Sequence, residues 1–160
     1  MAILSQPPAQ GSSPASPRRR VSQPAGLPKT PYQPQRATSF AIIEQAQKGV
    51  PTQQVDQLAE LLGISFKEMA IVLQVAERTL HRFRSEGQLD QQTSERLLLL
   101  ENLTAHGLLV FDGRAEALAD WLRYPLRELK GQAPLQWLNT ISGFSLVDDV
   151  LTRIEYGVYS

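Results

Sequence analysis

The sequence predicts an all-α fold with three parts: a disordered, basic, proline-rich N-terminal tail over residues 1–38, a helix-turn-helix bundle over 39–89, and a small helical domain over 90–160. Three observations lead there. From position 39 onward, apolar residues recur at i, i+3 and i+4 in one stretch after another. Most of these stretches have Ser, Thr or Asp near the start and Gly or Pro near the end. No alternating apolar and polar run of strand length competes with them.

Residues 1–36 hold eight of the eleven prolines, with many Ser and Gln, and their few apolar residues follow no period. Such a segment buries too little surface to offset the entropy of ordering it. Ser39 is placed to cap a first helix carrying Phe40, Ile42, Ile43 and Ala46 on one side, stopped by Gly49 and Pro51. Thr52 precedes a second helix with Val55, Leu58, Ala59, Leu61 and Leu62, ended by Gly63. Ser65 opens a third with Phe66, Met69, Ala70 and Leu73, and after a break at Gln74-Val75 a fourth runs from Ala76 to Ser85, stopped by Gly87. Asp90 caps a long helix that is apolar on more than one side, from Leu97 to Phe111, and so is expected at the centre. Asp112 is placed to cap the next, which carries Leu118, Trp121 and Leu122 as far as Pro125. Pro134 suits the first position of a short helix through Trp137. Ser142 is read as the start of the last helix, with Phe144, Val147, Val150, Leu151 and Ile154, and Gly157 as its C′ residue.

The two short helices from Ser65 to Ser85 have the size of a helix-turn-helix. Ala70 is small where they cross, Val75 plugs the turn, and Leu80 and Phe83 anchor the second helix. That leaves Ala76, Glu77, Arg78, Thr79, His81 and Arg82 outward, where a recognition helix carries its DNA-reading groups. Arg78 and Arg82 lie on one face, suited to guanine edges, and Thr79 and Arg84 suit phosphates. Gln74 stands where this turn commonly has glycine. The plainer alternative is a helical hairpin with a solvated basic face.

Composition narrows the function classes. The chain has no cysteine and only two histidines, His81 and His106, so no metal site and no cofactor is expected. No nucleophile elbow, phosphate loop or dinucleotide fingerprint occurs, and catalysis is the weakest class. The start does not read as a signal peptide and no run suits a membrane helix, which leads us to expect a soluble, cytoplasmic protein. The net charge of zero hides an asymmetry: Arg18, Arg19, Arg20, Lys29 and Arg36 give residues 1–38 a charge of +5, leaving −5 for the rest. An acidic body binds DNA only through a local patch.

The last third carries a specific resemblance. Trp121, Leu122 and Pro125, then Leu129 and Gly131, then Pro134, Leu138, Thr140 and Gly143, and finally Val147, Leu151, Ile154, Glu155 and Gly157 follow in an order that closely resembles the toxin-binding domain of the Xre/MbcA/ParS antitoxins. Upstream, GISFKEMAIVLQVAERTLHRFRSEGQLD is similar to the Xre-like segment of the same family. The resemblance covers about residues 55–160 and implies a type II antitoxin. Its partners would be a cognate RES-domain toxin, which consumes NAD, and operator DNA, through which the operon represses itself. In that family the C-terminal end approaches the toxin's active site. The positions implied here are Arg153, Ile154, Glu155, Tyr156, Gly157, Val158, Tyr159 and Ser160. A homodimer within a hetero-oligomeric complex is expected, because helix-turn-helix proteins generally span two half-sites.

Two other readings stay open: a stand-alone helix-turn-helix regulator whose C-terminal half dimerises, and an interaction protein without DNA binding. Single residues also have structural readings. Trp121 and Trp137 suit packing, and His106 is expected to be a tolerated packing residue. Asp148 and Asp149 suit a solvated helix face, Tyr156 packing against the long helix, and Glu155 a local pair with Arg153 or none.

Overall fold

The computed structural model describes residues 31–158, and among these it holds seven α-helices, two short 3-10 turns and no β-sheet. Residues 1–30 of the expected tail lie outside the described residues. The helices are α1 (Ser39–Lys48), α2 (Gln53–Leu62), α3 (Phe66–Leu73), α4 (Glu77–Glu86), α5 (Gln91–Val110), α6 (Ala115–Arg123) and α7 (Ile141–Glu155). The 3-10 turns Arg127–Leu129 and Pro134–Trp137 lie between α6 and α7. The chain before α1 is extended and joins the body, with Tyr32 and Ala37 packing against the core. The Ala37 N–H donates to Asn102 Oδ1 at 2.8 Å.

The 20-residue helix α5 is the centre, packed against α1, α3, α6 and α7. Leu97, Leu100, Leu103 and His106 on it are buried. Its burial on several sides explains why its apolar residues follow no single stripe. α2 packs on α3 and on α6. Buried leucines, among them Leu58, Leu62, Leu80, Leu118, Leu122, Leu138 and Leu151, make one continuous core.

Several helix starts differ from expectation, each for a backbone reason. Thr38, not Ser39, caps α1, accepting from the Ala41 N–H. Asp112 does not cap α6, because it sits in left-handed backbone at φ 54°, whereas a capping side chain needs extended backbone. Arg114 is the N-cap instead and offers no side-chain bond. Thr140, not Ser142, caps α7: its hydroxyl accepts the Gly143 N–H at 3.0 Å, and Ser142 is already inside the helix. On α1 only Ile42 and Ala46 are buried, whereas Phe40 and Ile43 face out.

The helix-turn-helix forms where the sequence puts it. Ser65 and Glu68 form a reciprocal capping box at the start of α3. Gln74 takes the left-handed conformation at φ 57°, which glycine adopts without cost. Its N–H closes α3 and its side-chain amide donates to the Ile71 carbonyl at 2.8 Å. The exit of α4 is strapped to the end of α1: the Thr52 N–H donates to Gly87 O, the Leu89 N–H to Val50 O, and the Val50 N–H to the buried Ser94 hydroxyl.

Candidate functional site

Two surfaces carry the expected functional residues. The first is the outer side of α4. Leu80 and Phe83 are fully buried beneath it, which turns Ala76, Glu77, Arg78, His81, Arg82 and Arg84 outward and leaves Thr79 half-buried. The helix is short and alternates charge, so most of its cations find local partners. Arg82 pairs with Glu86 one turn on, at 3.5 Å. Arg84 is held by Asp56 of α2 and lies over the Phe66 ring at 4.5 Å. The His81 ring stacks on the same Phe66 at 4.4 Å. Among the described residues, Arg78 is the α4 cation that makes no ion pair, and it stands at the N-terminal end of the helix. Phe66 therefore fixes α4 against α3, a role that residue spacing left unmarked.

The second surface is the C-terminal end. α7 runs to Glu155, and Gly157, at φ 66°, turns the chain after it, as a C′ glycine does. Arg153, Tyr156, Gly157 and Val158 are exposed. Tyr156 is 73% exposed, so it does not pack on α5 as expected. Ile154 is half-buried and, with Trp121, Leu126, Val150 and Val158, lines an open, largely apolar cleft that also includes Arg153 and Glu128. Trp121 is set in that wall by a tilted contact with Phe111 at 5.9 Å between ring centres. Tyr159 and Ser160 lie outside the described residues.

Beneath this end lies a cluster that was not anticipated. His106 is 1% exposed, and both of its ring nitrogens face carboxylates of α7: Nδ1 is 2.6 Å from Asp148 and Nε2 is 3.1 Å from Glu155. Arg36 reaches the other Asp148 oxygen at 4.0 Å. Asp148 is thus half-buried and bonded rather than part of a solvated face, and Glu155 points to His106 rather than to Arg153. His106 is a polar anchor instead of a tolerated packing residue. The partners lie 42 and 49 residues from it in the chain, a distance at which spacing carries no signal.

Two further carboxyls have distinct surroundings. Burial pushes the Glu101 carboxyl up, and it lies beside the Tyr32 hydroxyl, which is buried with no hydrogen bond of proper geometry. The Glu68 carboxyl is held below its ordinary range by the Ser65 N–H, with the Ser65 hydroxyl and Arg123 adding to the effect. Among the described residues no group of acids and histidines has the arrangement of a metal site, and no helix is long and apolar enough to cross a membrane.

The fold and these surfaces coincide with two family matches. Residues 41–102 match the antitoxin Xre-like helix-turn-helix domain, and residues 106–157 match the antitoxin Xre/MbcA/ParS C-terminal toxin-binding domain. A Prs ADP-ribosylating antitoxin of Sphingobium sp. (strain YBL2) is 27% identical over 151 residues, covering 88% of this chain and 95% of the relative. An Antitoxin Xre of Yersinia enterocolitica is 24% identical over 149 residues, 92% of this chain and 96% of its own. An Antitoxin Xre of Photorhabdus laumondii is 25% identical over 114 residues, 71% and 77% of the two chains. With both of its domains present in order on one helical frame, the chain belongs to the Xre/MbcA/ParS antitoxin family.

Proposed function

We propose that the protein neutralises a RES-domain toxin by placing its C-terminal end in the toxin's active-site cleft. The observation that carries this reading is the end of α7: Arg153, Tyr156 and Val158 stand exposed together at the limit of the toxin-binding match. Tyrosine offers rigid contact area with one polar handle, and arginine a charge that reaches a carboxylate or phosphate group, the usual anchors of an interface. The name of the Sphingobium relative joins an antitoxin to ADP-ribosylation, chemistry that draws on NAD. A toxin that consumes or transfers parts of NAD is the partner we assign. In this reading Arg153, Ile154, Tyr156, Gly157, Val158, Tyr159 and Ser160 touch the toxin, and Glu155 acts from behind them. Removing residues 157–160 is expected to release toxin activity in co-expressing cells while the helical circular dichroism of the antitoxin is unchanged. Full inhibition by the truncated chain removes the plug from the mechanism.

The same reading gives α4 to operator DNA, with the protein acting as a homodimer that represses its own operon. Arg78 is the residue best placed for a base edge, since among the described residues no carboxylate pairs with it. Arg84 enters with its bond to Asp56 in place and therefore serves register rather than reading.

A further inference from the structure

His106 gives a proton count that the cluster around it must satisfy. An ionised carboxylate only accepts hydrogen bonds, and a neutral imidazole has one N–H to give. Two carboxylates at 2.6 and 3.1 Å from the two ring nitrogens therefore require one proton more than a neutral ring supplies. With the imidazolium form both contacts are charge-assisted hydrogen bonds. The Arg36 guanidinium beside Asp148 then brings the charge of the four groups to zero. Without the extra proton, a buried lone pair faces an anion across one of these contacts.

Among the described residues, no other group bonds to the ring. α7 contributes Asp148 and Glu155, while its Asp149 and Arg153 are exposed. The segment before α1 contributes Arg36. On α5, Glu101 faces Tyr32. On α1, Glu44 and Lys48 are exposed and make no bond to the cluster among the described residues. α6 brings Leu118 against the adjacent Gly107. The contact to Glu155 is the longer of the two, and Glu155 is the last residue of α7, directly before the exposed tip.

We propose that His106 is a positioning residue whose protonated ring clamps Glu155, holding the last turn of α7 and the C-terminal tip in place, and that the clamp opens when the cluster loses its extra proton. Asp148, at the shorter distance and also bonded to Arg36, keeps the ring; Glu155, 41% exposed at its side chain, turns to water. The importance of the clamp for inhibition rests on the proposed role of the tip, but its existence does not.

The test uses the full-length antitoxin alone, with histidine ring nitrogens labelled with nitrogen-15. While the clamp is closed, both His106 nitrogens should show the protonated signature. Across a pH series, amide exchange over residues 153–158, corrected for intrinsic chemistry, should accelerate about tenfold as that signature is lost, the effect of losing one charge-assisted bond. Glu155→Gln offers either a donor or an acceptor to the ring, so its exchange should lose that dependence on pH. A ring that shows the neutral signature throughout, one whose signature does not change across the series, or a change that leaves the exchange of the tip unchanged each overturns the clamp. If His106→Gln fails to fold, Glu155→Gln still decides, because its substitution lies at a partly exposed helix end. A separate binding measurement of the tip truncation against the toxin decides the plug, so the two ideas fail independently.

Discussion

At the scale of the residue, Gly143 shows how closely α7 meets the turn before it. A Cβ there would drive into the Trp137 backbone carbonyl, and backbone has little room to yield. Gly143→Ala should therefore destabilise the protein by about 3 kcal/mol in urea unfolding followed by circular dichroism. Glu68 makes a contribution of a different kind. Its carboxyl binds a proton less readily in the folded chain than in the unfolded one. Its stabilisation is thus complete at neutral pH and fades as pH falls through the folded value. Glu68→Gln should cost up to about 1 kcal/mol at pH 7, and the gap should narrow as pH falls below the ordinary glutamate range. Ser65, Asp90 and the anchors Leu80 and Phe83 were legible because capping and helical period act over three or four residues. His106 with Asp148 and Glu155, or Arg84 with Asp56, were not, because those pairs form only once distant helices have packed.

At the scale of the element, α4 is a short helix whose inner side is anchored by two residues and whose outer side is nearly all polar. Substituting outward residues leaves that anchoring intact. Arg78→Ala combined with Arg82→Ala should abolish operator-specific gel shifts while the helical signal stays within error of the parent. Retained site-specific binding moves the reading surface elsewhere. The turn ahead of α4 tolerates Gln74 because its amide recovers a hydrogen bond on the Ile71 carbonyl, which offsets part of the cost of left-handed backbone. Sequence reasoning placed every helix but misplaced three starts. Asp112 and Ser142 carry suitable side chains, and only the backbone around them, reversed at Asp112 and already helical at Ser142, decides against capping. Phe40 and Ile43 fit the apolar side of α1 on paper, yet only Ile42 and Ala46 are buried where α1 packs on α5.

At the scale of the whole molecule, the two family matches meet inside α5, between residues 102 and 106. One uninterrupted helix thus supplies core residues to both, and neither half keeps its core if that helix melts. Circular dichroism reports all the helices, whereas tryptophan fluorescence reports only Trp121 and Trp137 in the C-terminal half. Their urea transitions should coincide in a single cooperative step; midpoints that separate would show two independent units. The strap that ties residues 50–52 to 87–89 has a further effect on descent. It brings the entry to α2 and the exit from α4 to neighbouring points, so the stretch between them leaves and returns at one doorway. Lineages can vary the outer side of α4 within that stretch while α7 and the residues that follow it keep their place.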